Sequence, residues 1–370
     1  MTVSGEGVAL RAVILNAYRR SNAGDGLLVD EAIGLVQEAL PGVTFTLVSM
    51  EPSSFAEHGA GLHPVAGTRE RMRLTNLLAR LVTARPHPTV ADAIRSADIA
   101  VAVGGGYIRG DRPSSMAKAF LSHMVQAPTR ENSTPYVYLP QSIGPLPSRL
   151  VPFGASRLQR AHAVFVRDDR SRAELAARGI RSTRMPDLAV IAIGTSDLQR
   201  RLPNPESRPG LIARSIVGRA RSYSEKLNEL AALINPEVLI QSSGAGNDDR
   251  KYYDAQGWGT EHRGALQALE SPDRPNVVVS VRLHGALQSI LAGVPAVHLS
   301  YERKGWGAFE DLGIAEYVHN ARSFDPRTVA RQVEQLSRDA TAYWEAIEGR
   351  RAILASSRPE IIQTIRDAVQ

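Results

Sequence analysis

Cysteine is absent from this chain of 370 residues. That excludes disulfides, zinc–thiolate centres, iron–sulfur clusters and thiolate nucleophiles together. Aromatic residues are scarce, at 5%. Apolar stretches such as 12–15 and 99–103 fall far short of the roughly 20 residues that a membrane helix needs. The first residues lack a charged start followed by a long apolar run, so no secretory signal is expected. Lysine is nearly missing: Lys118, Lys226, Lys251 and Lys304 are the only four among 44 basic residues. Positive charge therefore sits on planar guanidinium forks, which suit carboxylate and phosphate. A formal net charge of +6 admits nucleic acid, an anionic membrane surface or anionic substrates as partners. The arginines are scattered and aromatics few, so nucleic acid is set aside. A soluble cytoplasmic protein is expected, with peripheral docking on the inner face of the membrane left open.

What remains is ordinary globular composition, 43% apolar and 22% charged, with short β-rich runs alternating with amphipathic stretches. Residues 8–16 read as a strand and 26–40 as a helix, with Leu28, Ala32, Leu35, Val36 and Ala39 on one face. Further strands are expected at 45–49, 99–103, 136–139 and 163–166, and helices near 72–82, 115–125, 149–160 and 171–177. Residues 195–210 carry Pro203, Pro205 and Pro209, which is linker chemistry. Alternation then restarts through 211–216, 225–233, 237–241 and 276–280, a helix opening at Leu283, and 296–300. The tail, 326–370, has helical period and a proline break at Pro359. Such alternation implies crossover units and parallel sheets. The expected fold is α/β: two doubly wound, Rossmann-like domains facing a cleft, 1–195 and 196–325, with the tail packing back across both.

Ligands of open parallel sheets bind beyond the carboxyl ends of the strands, so the residues just after each strand carry the functional reading. After the first strand stand Asn22, Gly24 and Asp25, able to cap a helix or to leave its amides open to an anion. Gly104, Gly105 and Gly106 follow the run 99–103 and allow close approach of a ligand or of another backbone. Gln141 and Ser142 lie in a proline-stiffened loop, 140–145, suited to sugar hydroxyls. Arg282 and His284 are the densest pair, at a strand end and a helix start. There a guanidinium, the helix N-terminus and an imidazole could grip an anion and move a proton. Lys304 follows the next strand in the same way, within Tyr301-Glu302-Arg303-Lys304. Arg214, read inside the first strand of the second half, and Arg167, Asp168 and Asp187 are weaker candidates, each able to form a structural ion pair instead. The sequence has no G-x-x-x-x-G-K-[ST], H-E-x-x-H, G-x-S-x-G or D-x-D. His87, His162, His298 and His319 have no neighbours at ligand spacing, so no metal is assigned.

In order, these segments resemble the polysaccharide pyruvyl transferase family. The resemblance rests on Asn22-x-Gly24-Asp25, the triplet 104–106, Gln-Ser-Ile-Gly-Pro at 141–145, Arg167-Asp168-x-x-Ser171, Pro186-Asp187, Arg-Leu-His-Gly at 282–285, Gly-Val-Pro at 293–295, and Lys304. It spans about residues 12–313, and Arg-Leu-His-Gly is its most specific part. It implies a fold similar to the GT-B glycosyltransferases. It also implies transfer of pyruvate from phosphoenolpyruvate, as co-substrate and with no cofactor, onto a sugar of a cell-surface glycan or its lipid-linked precursor. On that reading Arg282 binds the donor with Arg214 and Lys304 assisting, and His284 is the general acid or a phosphate ligand. Asn22, Gly24, Asp25, the glycines 104–106, Gln141, Ser142 and Asp187 line the acceptor side, with Asp25 or Asp187 as base. A nucleotide-sugar glycosyltransferase and a non-catalytic glycan-binding relative stay open as alternatives, and the oligomeric state is undetermined.

Overall fold

The computed structural model describes residues 9–68, 85–110, 119, 123–146, 151–200, 207–216, 220–244 and 248–370. Their elements separate into two compact units. The first comprises 1–20, 28–188 and 358–370; the second comprises 21–27 and 189–357.

The first unit is built on a parallel sheet. Its strands are β1 (Arg11–Ala17), β2 (Thr44–Ser49), β3 (Ile99–Ala102), β4 (Gly105–Ile108), β5 (Tyr136–Ile143), β6 (Ala163–Val166) and β7 (Thr183–Arg184). They run in the order β2-β1-β3-β5-β6-β7, with β4 paired to β5. Because both faces of the sheet are covered, the strands read as near-continuous apolar runs: six of the seven residues of β1 are buried. Helix α1 (Ala23–Ala39) supplies one cover, burying Leu28, Val29, Ala32 and Val36. Helices α2 (Pro88–Arg95), α3 (Val151–Leu158) and α4 (Asp169–Ala176) follow.

Three expectations for this unit change. The strand expected at 136–139 continues to Ile143, with a register irregularity between Tyr138 and Gln141 that accommodates Pro140. Gln141 and Ser142 thus stand in a strand, not in a loop. The glycines 105 and 106 are likewise strand residues, pairing Gly105 with Gln141. Helix α1 begins at Ala23, so Gly24 and Asp25 sit inside its first turn. The expected helix 72–82 lies outside the described residues, as does most of 115–125.

Helix α5 (Leu188–Thr195) leads into the second unit, whose parallel sheet comprises β8 (Gly210–Ile212), β9 (Glu237–Val238), β10 (Val278–Ser280), β11 (Ala296–Ser300) and β12 (Val318–Asn320). Their order is β12-β11-β10-β8-β9. The chain therefore leaves β8 in one direction to form β9 and returns on its other side to form β10. This makes the β8/β10 edge the topological switch point, where open α/β sheets bind ligands. Helices α6 (Ala220–Ile234), α7 (Arg250–Gln256), α8 (Ala265–Glu270), α9 (Leu283–Leu291), α10 (Arg303–Asp311), α11 (Pro326–Arg338) and, up to residue 357, α12 (Thr341–Asp367) complete the unit. Its core joins Val279 and Val281 with Leu287, Phe309 and Tyr343.

Three strands here are shorter than expected: 276–280 begins only at Val278, and two others end early. The run 211–216 is a strand only to Ile212, because the Tyr253 hydroxyl takes over the backbone of Ala213, accepting from its N–H at 3.1 Å and donating to its carbonyl at 3.1 Å. Arg214 accordingly lies beyond the strand, not within it. Strand β9 stops at Val238, and the Asp249 carboxylate receives the amides of Gln241 and Ser242 at 3.1 and 3.0 Å. In the tail, helix α12 runs through Pro359 without ending. A proline's φ fits a helix, and the lost hydrogen bond is offset by burial of Leu354, Ile361, Ile362 and Ile365 around it. Residues up to 357 group with the second unit and those from 358 with the first.

Candidate functional site

At the switch point of the second unit, strand ends deliver the side chains. The hydroxyl of Ser280, the last residue of β10, accepts from the Arg282 amide at 3.2 Å and donates to the Arg282 carbonyl at 2.7 Å. This turns the chain directly from strand into α9, with Arg282 as the residue before the helix. Gly285 makes that turn possible. A Cβ there would stand 2.7 Å from Ser280 Oγ and 3.0 Å from Ile212 Cδ1, so only glycine lets α9 press onto the strand ends. Arg282 and His284 are thereby placed in the opening turn of a nine-residue helix, where the macrodipole favours an anion.

Arg282 is 7% exposed, and its guanidinium is gripped by Asp249. Nε donates to Oδ1 and Oδ2 at 3.0 and 3.1 Å, and Nη2 donates to Oδ1. Burial by itself lowers an arginine pKa, but the Asp249 carboxylate outweighs it and holds Arg282 charged. Burial in turn pushes the Asp249 carboxyl up, opposed by Arg282 and by the two backbone amides.

Neighbouring strand ends add further charge. Beyond β8, Arg214 donates from Nη1 to the Tyr301 hydroxyl at 3.1 Å and lies over the Tyr301 ring, 5.5 Å from its centroid. Beyond β11, Lys304 pairs with Glu302 at 2.9 Å. Between these ends, the imidazole of His298 in β11 is fully buried against the Ser280 carbonyl, at 2.8 Å from Nδ1. Burial, helped by the nearby charges of Lys304 and His284, lowers its pKa to about 4, so it is neutral at pH 7.

The turn at 21–26, read from the sequence as part of the first domain, belongs to the second unit. Three hydrogen bonds fix it: Ala23 N–H to the Gln241 carbonyl at 3.2 Å, Ser243 N–H to the Ser21 carbonyl at 3.0 Å, and Gln288 Nε2 to the Ala23 carbonyl at 3.0 Å. Within it, the Asn22 side-chain amide donates to the buried Asp25 carboxylate at 2.8 Å. Gly24 lies directly on His284: a Cβ would stand 2.6 Å from His284 Cβ and 2.9 Å from Nδ1. The structure thus brings Asn22, Gly24 and Asp25 together with Arg282 and His284.

The remaining candidates form a separate cluster in the first unit. Three motifs far apart in sequence meet at the carboxyl ends of β5 and β6. Ser142 Oγ donates to Asp168 at 2.6 Å and accepts from Arg167 Nε at 3.0 Å. Asp168 caps α4 by accepting from the Ser171 amide at 2.8 Å, and Ser171 Oγ accepts from the Ile143 amide at 2.8 Å. Asp187 is almost fully buried in an ion pair with Arg167, while Gln141 is 2% exposed. Gly104 packs against another backbone: a Cβ there would overlap the Pro140 carbonyl oxygen.

Sequence reading missed Asp249 and Gln288. Asp249 lies 33 residues from Arg282, and nothing in its local pattern separates it from Asp248. Gln288 sits one turn beyond His284 on α9, and only the fold brings Ala23 to it. Among the described residues no group of three or more His, Asp or Glu side chains could hold a metal ion. No described helix is long and apolar enough to cross a membrane.

Comparison with solved structures places the fold. A protein assigned as a UDP-N-acetylglucosamine 2-epimerase from Listeria monocytogenes superposes with a TM-score of 0.55 at 13% identity, covering 97% of this chain and 96% of its own. The UDP-N-acetylglucosamine 2-epimerase of Rickettsia bellii gives 0.54 at 11% identity, covering 98% and 97%. The glycotransferase of kitacinnamycin gives 0.52 at 14% identity, covering 98% and 100%. At such identities the likeness establishes the fold alone, two Rossmann-like domains of the GT-B kind. No curated protein matches the chain in sequence. The family description "polysaccharide pyruvyl transferase" matches residues 22–303, from the Asn22 turn to the start of α10. That stretch holds the Arg282–His284 pair and both polar clusters, and on this match the chain belongs to the polysaccharide pyruvyl transferase family.

Proposed function

We propose that the protein transfers the pyruvyl group of phosphoenolpyruvate to two hydroxyls of a sugar, as a ketal, in a cell-surface polysaccharide or its lipid-linked precursor. The observation that carries this reading is the Asp249-held guanidinium of Arg282 beside His284 in the first turn of α9, at the β8/β10 switch point. Phosphoenolpyruvate is a carboxylate and a phosphate on one small frame. An arginine fork, a helix N-terminus and the further cations Arg214 and Lys304 answer both groups.

The chemistry assigns the remaining roles. A proton added to the methylene carbon makes a methyl group and leaves the neighbouring carbon electrophilic. A sugar hydroxyl oxygen bonds to that carbon and its proton passes to a base. The carbon–oxygen bond to phosphate then breaks, inorganic phosphate leaves, and the second hydroxyl closes the ketal with loss of its own proton. His284 is the acid of the first step, and Arg282 with the α9 N-terminus holds the anion throughout. Asp25, in the turn that packs on His284, is the base; Asp187 is already committed to Arg167.

The test is phosphate release from phosphoenolpyruvate against a panel of glycan precursors, run beside thermal shifts with phosphoenolpyruvate and with nucleotide sugars. Stabilisation by phosphoenolpyruvate and acceptor-dependent phosphate release are expected, with His284→Ala lowering turnover about 10²–10⁴-fold. Stabilisation by nucleotide sugars alone would replace this reading with glycosyl transfer. A fully active, folded His284→Ala protein would remove histidine from the mechanism.

A further inference from the structure

Asp249 occupies the position before α7, where an aspartate ordinarily accepts from the first free amides of its helix, an interaction worth about 1 kcal/mol. It makes no such bond. Its carboxylate is turned inward and fully buried, on the amides of Gln241 and Ser242 and on Arg282. Burying two opposite charges gains little stability by itself, since desolvation offsets most of the attraction. A forgone helix cap and a desolvated pair are both explained if the bond serves orientation. Contacts through Nε and Nη2 define the plane of a guanidinium, whereas a single contact would leave it free to swing.

We propose that Asp249 is the positioning residue of the donor site: it grips the Nε–Nη2 edge of Arg282 and so sets the direction in which the fork meets an anionic donor. The Asp249–Arg282 pair is held from both sides of the switch point. The amides of Gln241 and Ser242 hold Oδ2 from the β9 side, and Ser280 Oγ holds the Arg282 backbone from β10. Asp249 touches no donor atom itself. The inference rests on phosphoenolpyruvate being the donor.

Asp249→Asn separates aim from fold. The asparagine carbonyl can still accept from the Gln241 and Ser242 amides, but its amino group then faces the N–H groups of Arg282, donor against donor. Asp249→Glu is the second variant; it keeps the charge and displaces the grip by one methylene. Phosphoenolpyruvate binding is measured by titration calorimetry on wild type and both variants, with circular dichroism and thermal unfolding reporting the fold. Each folded variant is expected to bind about 10²-fold more weakly, the scale of loss when a buried charge pair at a binding site is broken. In turnover, KM for phosphoenolpyruvate should rise while kcat at saturation is largely retained. A Kd within about twofold of wild type in a folded variant overturns the proposal. So does tighter binding by Asp249→Asn, which would mean that the carboxylate only screens the arginine's charge. Absence of phosphoenolpyruvate binding by the wild type is a different result, and it overturns the donor itself.

Discussion

Gly24→Ala should separate the geometry of His284 from the stability of the fold. The new Cβ would stand 2.6 Å from His284 Cβ, 2.9 Å from Nδ1 and 3.0 Å from Cγ. Ordinary contact begins near 3.4 Å, so one partner must retreat by about 0.8 Å, a shift of the size that costs about 10²-fold in rate when it misplaces a reacting group. The turn is pinned by its hydrogen bonds to Gln241, Ser243 and Gln288, and the nearest atom is His284 Cβ, which ring rotation does not move, so His284 is pushed aside with the start of α9. Stability changes much less. Replacing glycine in a helix gains about 1 kcal/mol, and overpacking costs about 1–3 kcal/mol. The net loss is therefore at most about 2 kcal/mol, or about 8 °C in Tm for a unit of this size. Phosphate release from phosphoenolpyruvate, measured with the acceptor found by the screen, should fall about a hundredfold while Tm falls by no more than about 8 °C. A folded Gly24→Ala protein turning over at the wild-type rate would refute the contact as a determinant of His284 geometry.

His298 should make the second unit acid-sensitive. Its pKa is held at about 4 by burial, against about 6.5 when unfolded. As pH falls below 6.5 the unfolded chain takes this proton first, so stability present above that pH is lost progressively down to pH 4, by about 3 kcal/mol in all. Denaturant unfolding across this window should show a shallower pH dependence in His298→Gln than in wild type, and equal slopes would dismiss the assignment. In the first unit, Asp187→Ala leaves the buried Arg167 charge without its carboxylate and should cost about 3–5 kcal/mol in urea unfolding. A loss below about 1 kcal/mol, as at an exposed pair, would show that the bond carries no such weight.

Local chemistry is legible wherever a strand runs straight into a helix. Residues 296–300 form β11 at the expected bounds, and α9 opens at Leu283 as its pattern requires. Arg282 and His284 stand out for the same reason, since a guanidinium and an imidazole lie two residues apart at such a junction. Period is less informative where a partner side chain replaces the ladder. Tyr253 ends β8 before Arg214, and no pattern in 211–216 announces a hydroxyl 40 residues away. Pro359 reads as a break, yet α12 passes through it because the burial of Ile361 and Ile365 is a property of the packed helix.

By itself, the order of side chains along the chain determined the α/β class, the parallel sheets and the strand-end position of Arg282 and His284. These follow from hydrophobic period and backbone preference, which act over a few residues. Tertiary structure alone decided the company those side chains keep: Asp249 on Arg282, Gly24 on His284, Gln288 on Ala23 across 265 residues. It also fused Ser142, Arg167, Asp168 and Asp187 into one polar cluster. The physical reason is that a buried charge or amide must find its partner in space. Strand order sets which segments are neighbours there, and no local sequence rule encodes it.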